Sequence, residues 1–172
     1  GQGYVLTTPL QLATMTAAVA NGGTLWKPQV VKHIQDLQGD AVWTPQPEKI
    51  SQGNFSEGDL RAVRRAIEAV VTEPGGTAYR SRLAEVRFAG KTGTAQVVGR
   101  KGSKEADTSK YEHRDHALFV AYAPAHAPEI AVAVVVEHGG HGGSAAAPVA
   151  KAMFEAYFGI KRDEPSVVEV KP

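Results

Sequence analysis

The sequence predicts an α+β fold on three observations: two segments open with helix-capping signals, three runs rich in apolar and β-branched residues crowd the second half, and glycine-rich stops separate them. At roughly 150 residues per domain, 172 residues fit one domain with a substantial core. Hydrophobic residues are 42% and charged residues 22%, close to globular averages, which excludes wholesale disorder.

Thr8-Pro9-Leu10-Gln11 places a hydroxyl at the cap, a proline at the first helical position and a glutamine at the third, so a helix starts there. It runs through Ala13, Ala17 and Val19 to the left-handed stop Asn21-Gly22-Gly23, and its many alanines predict close packing. From Thr24 to Trp43, β-branched and aromatic residues flank Gln38-Gly39-Asp40, a hairpin with Gly39 at the turn.

Ser56 caps a second helix in which Leu60, Val63, Ile67, Val70 and Val71 recur at spacings of three and four, opposite Arg61, Arg64, Arg65 and Glu68. Pro74-Gly75-Gly76 ends it, and a short helical turn is expected from Ala78 to Leu83. Val86 to Val98 reads as a strand, and Gly99 to Asp115, polar and aperiodic, as a long, mobile exposed loop.

Two further strands, His116 to Tyr122 and Ile130 to Glu137, are apolar enough to be buried on both faces. The glycines between His138 and Gly143 form a flexible turn into a last helix near Pro148, expected to face the sheet with Val149, Ala152, Met153, Ala156 and Tyr157. Gly159 stops that helix, and residues 161–172 are expected to form a disordered tail after a body spanning 1–160.

Nineteen Lys and Arg against 18 Asp and Glu leave a formal charge of +1 with no basic stripe, which argues against nucleic acid. The longest strongly apolar run, Ile130 to Val136, falls far short of the roughly 20 residues a membrane-spanning helix needs. The absence of cysteine excludes disulfides, thiolate zinc sites and cysteine nucleophiles.

The chemistry concentrates in Phe88-Ala89-Gly90-Lys91-Thr92-Gly93-Thr94-Ala95-Gln96. Strand period puts Thr92 and Thr94 on one face with Gly93 leaving the backbone open between them. Such a strip suits a carboxylate held by two hydroxyls and a nearby ammonium, with a backbone N–H available to an oxyanion. An ordinary amphipathic edge strand has the same composition.

Gly90-Lys91-Thr92 also ends a Walker A sequence, but Glu85 stands where that loop needs glycine, and a strand rather than a helix follows. His113 and His116, and His138 and His141, are each three apart without helical context or a third ligand, and read as surface histidines.

Lys91-Thr92-Gly93 resembles the K-T-G motif of penicillin-binding proteins and serine β-lactamases. Around it stand Gly1-Gln2-Gly3, Thr7-Thr8-Pro9-Leu10-Gln11, Thr94-Ala95-Gln96, the polar loop, His116 to Pro124, Ile130 to Glu137 and the Gly-Gly turn. This ordered series resembles the C-terminal half of the transpeptidase domain of class B penicillin-binding proteins, above all the elongation-specific members of Gram-negative bacteria.

That resemblance implies an α+β fold with an antiparallel sheet packed with helices, three strands coming from this chain and two from preceding sequence, beyond Ile130 to Glu137. It implies a D,D-transpeptidase that cross-links peptidoglycan. A serine attacks the penultimate D-alanine carbonyl of a stem peptide, releases the terminal D-alanine and passes the acyl group to an amine. β-Lactams trap the acyl-enzyme.

Carried over, Lys91 supports proton transfer and attracts the carboxylate, Thr92 and Thr94 hold it, the Thr94 N–H is half of the oxyanion hole, and Gly93 and Gln96 line the strand side of the cleft. No cofactor and no metal are implied, since serine chemistry needs only a base and an oxyanion hole.

None of the serines is followed by lysine three positions on or by asparagine two positions on. The resemblance therefore implies that a preceding half or companion chain carries S-x-x-K and S-x-N, with a membrane anchor facing the periplasm and partners among the elongation machinery. This segment alone is expected to be inactive. An inactive scaffold or ligand-binding relative is the alternative.

Overall fold

The computed structural model describes residues 5–97 and 110–161. Most of the expected loop and the tail lie outside the described residues.

Helix α1 (Pro9–Asn21) opens on the expected capping box: Thr8 Oγ1 accepts from the Gln11 N–H at 3.2 Å, and Gln11 Oε1 accepts from the Thr8 N–H at 2.8 Å. Gly22 closes it in the left-handed region at φ 94°. Helix α2 (Glu57–Thr72) is capped by Ser56, whose hydroxyl accepts from the Asp59 N–H at 3.0 Å.

Between the helices lie two small antiparallel pairs. Strands β2 (Ile34–Gln35) and β3 (Ala41–Trp43) form the predicted hairpin, with Gly39 at φ 91° and the Asp36 carboxylate accepting from the Gln38 and Asp40 N–H groups. Strand β1 (Thr24–Trp26), expected to belong to that hairpin region, pairs instead with β4 (Lys49–Gln52). No local turn joins the two, so spacing gives no sign of the pairing.

The main sheet has the order β5-β6-β7, from β5 (Ala89–Ala95), β6 (His116–Ala123) and β7 (Ile130–Val136), all antiparallel. β5 is shorter than the expected Val86 to Val98. Arg87 is tied by its carbonyl to the Ala125 N–H rather than by a ladder, and Val98 lies outside the described residues.

Helix α1 crosses β6 and β7, and α2 lies against β5. Helices α3 (Gly142–Ala145) and α4 (Ala147–Phe158) pack on the other face. The period-2 alternation of β6 serves both layers: Phe119, Ala121 and Ala123 join Phe154 and Ala150 of α4, while Tyr122 joins Ala20 of α1.

One expectation about α4 is overturned. Val149, Met153, Ala156 and Tyr157 are exposed and Ala152 is half-buried, whereas Ala147, Ala150 and Phe154 face the sheet. Both faces carry apolar residues, so periodicity alone does not choose between them. The small Ala147 and Ala150 allow close approach, and the Phe154 ring fills the core 5.0 Å from that of Phe88.

Candidate active site

β5 is one of the two outer strands of the sheet, and Gly90 lets it approach β6: a Cβ there would lie 2.5 Å from Phe119 Cζ and 2.8 Å from the Val120 carbonyl. Two residues later the strand presents Thr92 and, two further on, Thr94 from the same face. Facing them is Thr77, on the turn after α2, with its hydroxyl oxygen 3.1 Å from that of Thr92.

The third wall is the His141-to-Ser144 turn that opens α3. A Cβ on Gly142 would lie 2.2 Å from the Leu118 carbonyl oxygen and 2.8 Å from that of Gly93. This segment is expected from sequence to be a flexible turn. Instead its glycines provide close backbone contact, and the chain coils into a short helix.

Together these segments enclose an open cavity of about 430 Å³ lined by Thr77, Arg80, Thr92, Thr94, His141 and Ser144. Its threonine and serine residues, with Arg80 on the wall, make it a donor-rich pocket suited to a carboxylate.

The structure thus brings Thr92 and Thr94 together, with Gly93 between them. Lys91 is on the opposite side of the strand period, and its ammonium folds back to donate to the Thr92 carbonyl at 2.8 Å, with Thr92 Oγ1 at 3.5 Å. Gln96 is half-buried just past the end of β5 and is not part of the cavity lining. Thr77, Arg80, His141 and Ser144 are not among the site residues read from the sequence, because Gly75-Gly76 and Gly142-Gly143 register there only as breaks.

The expectation of surface histidines holds for His141, which is exposed, and is corrected for His116 and His138, which pair across their sequence partners. His116 and His138 are half-buried with ring centroids 4.8 Å apart, and His116 Nδ1 accepts from the His138 N–H at 2.9 Å. That bond fixes the His116 proton on Nε2. Among the described residues no group of three or more His, Cys, Asp or Glu is placed to hold a metal. No described helix is long and apolar enough to cross a membrane.

The penicillin-binding protein transpeptidase domain family matches residues 1–155. The peptidoglycan D,D-transpeptidase MrdA of Acinetobacter baumannii is 38% identical over 167 residues, covering 96% of this chain and 24% of that protein. The crystal structure of Pseudomonas aeruginosa penicillin-binding protein 2 aligns with a TM-score of 0.70 at 37% identity, over 100% of this chain and 34% of that one. Penicillin-binding protein A from M. tuberculosis, as its imipenem acyl-enzyme complex, aligns with a TM-score of 0.70 at 30% identity, over 92% and 32% of the two chains.

The chain spans about a quarter of the length of the curated relatives it matches. With the family matched from Gly1 onward, and with the K-T-G strand lining an open donor-rich cavity, the chain belongs to the penicillin-binding protein transpeptidase domain family.

Proposed function

We propose that this chain is the K-T-G side of a peptidoglycan D,D-transpeptidase active site, residues 1–160 forming the C-terminal part of that domain. The observation that carries the reading is the shared face of Thr92 and Thr94 on an outer strand of the sheet, opening into a cavity with Arg80 at its wall. The hydroxyls of Thr92 and Thr94 hold the substrate carboxylate, the Thr94 N–H stabilises the oxyanion, and Gly93 keeps the backbone accessible. Lys91 supplies positive field and supports proton transfer, and Gln96 extends the strand wall.

The nucleophilic serine and the S-x-N motif come from sequence outside this chain, since none of its own serines has lysine or asparagine at the required spacing. Stem peptides ending in D-alanine are the substrates. The acyl-enzyme formed by imipenem in a relative supports β-lactams as inhibitors. The whole protein is proposed to work at the periplasmic face of the inner membrane, anchored ahead of this segment and in contact with elongation-machinery proteins.

Labelling with a fluorescent penicillin tests the reading. The complete protein is expected to take a stoichiometric, denaturation-resistant label, and the isolated 172-residue chain none. Label on the isolated chain overturns the division of the site. An unlabelled complete protein favours an inactive scaffold.

A further inference from the structure

We propose that Thr77 is a positioning residue: its hydroxyl orients that of Thr92 so that the Thr92 proton points into the cavity, toward the substrate carboxylate. The proposal rests on the transpeptidase reading above.

A threonine hydroxyl has one proton to give and lone pairs to accept with, while a carboxylate only accepts. To hold a carboxylate, Thr92 must donate to it, so any other hydroxyl bonded to Thr92 must be the donor in that bond. Thr77 Oγ1 lies 3.1 Å from Thr92 Oγ1, and either atom can donate. With substrate bound, Thr77 therefore donates to Thr92. Lys91 Nζ, at 3.5 Å from the same oxygen, is a second donor, this one cationic and without acceptor capacity. Both neighbours thus turn the Thr92 proton outward, and the Thr77 bond polarises it.

The Thr77 backbone is held on three sides. The Ala78 N–H donates to the Val70 carbonyl at 3.1 Å, and Ala78 is buried. A Cβ on Gly76 would lie 2.3 Å from that same Val70 oxygen, so this turn is seated directly on the end of α2. Gly143 packs against the Thr77 carbonyl from the other side. A hydroxyl carried on backbone fixed in this way orients its partner with less ordering left to do when substrate arrives. Arg80, three residues on, lines the same cavity.

The test uses the complete transpeptidase and two substrates: a penicillin bearing its carboxylate, and the same penicillin as its methyl ester. Thr77→Val is expected to slow acylation by the free acid about fivefold, the effect of one neutral hydrogen bond, and to leave the ester rate within about twofold. Thr77→Ser restores the acid rate. In a Thr92→Val background, Thr77→Val adds no further loss.

Equal slowing of acid and ester, or no restoration by serine, overturns the positioning role. A wild-type protein that is not acylated at all overturns the transpeptidase reading and this inference together. If wild type is acylated and Thr77→Val matches it, the inference alone falls. Should Thr77→Val not fold, Thr77→Ala is read in the same way. Failure of both to fold overturns the proposal by showing that the hydroxyl serves the fold rather than the carboxylate.

Discussion

Gly143 and Thr77 meet so closely that a Cβ on the glycine would lie 2.1 Å from the threonine carbonyl oxygen. The α3 turn and the turn after α2 are thereby locked as two walls of one cavity. Since the obstacle is backbone rather than the end of a flexible side chain, Gly143→Ala forces these walls apart. The expected cost is at least about 2 kcal/mol, as for overpacking elsewhere, with acylation of the complete enzyme impaired alongside. Gly58→Ala, on α2 with only an ordinary contact to Ser56, is the control: unchanged, or more stable by up to about 1 kcal/mol. Denaturant melts of the two variants that coincide would refute the lock.

The orientation of α4 is testable in the same way. Phe154 is fully buried against Phe88, while Met153, its neighbour in sequence, is 43% exposed. Phe154→Ala is expected to cost about 3–5 kcal/mol by leaving a cavity in the core. Met153→Ala is expected to stay within about 1 kcal/mol. The reverse order, measured by chemical denaturation, would restore the face of Val149, Met153 and Tyr157 as the one that packs on the sheet.

What was legible in the sequence was local. The Thr8–Gln11 capping box, the Ser56 cap, the Gly22 and Gly159 stops and the apolar runs of β6 and β7 each specify their element within a few residues, and the structure follows them. The β1–β4 pairing was not legible, because its strands are short and no turn signal links them. The choice of the Phe154 face for α4 depends on the shape of the sheet it meets, which a helical period does not contain. At the site, the K-T-G strip announced Thr92 and Thr94. Thr77, fifteen positions upstream, reaches Thr92 only through the tertiary packing of Gly76 and Gly143.

The assignment of the strip itself makes a graded prediction in the complete enzyme. Thr94→Val keeps the shape and the backbone N–H but removes a hydroxyl, so acylation by penicillin is expected to slow by the equivalent of about 1.5–3 kcal/mol, one hydrogen bond to a charged group. Lys91→Ala is expected to slow it further, because the positive field goes with the side chain. Stopped-flow acylation rates equal to wild type in both variants would sink the assignment.

Tyr122 gives a prediction in pH. Its side chain is buried between β6 and α1, and burial pushes the phenol above its usual value near 10, an effect that Arg64 opposes and Glu68 reinforces. The folded state therefore holds this proton to higher pH than the unfolded chain does. Below the unfolded value the phenol is protonated in both states, and its contribution to stability is fully present. As pH rises through about 10 and on toward the folded value, the unfolded chain releases its proton first and stability falls. Tyr122→Phe shifts stability by a constant at neutral pH but removes this residue's share of the alkaline decline, while the remaining tyrosines contribute equally to both proteins. In urea melts of the wild-type and Tyr122→Phe transpeptidase between pH 8 and pH 11.5, the difference in stability is expected to stay constant up to about pH 10 and to change above it, wild type losing stability faster. Parallel curves across that range would show that the phenol is not held neutral by burial.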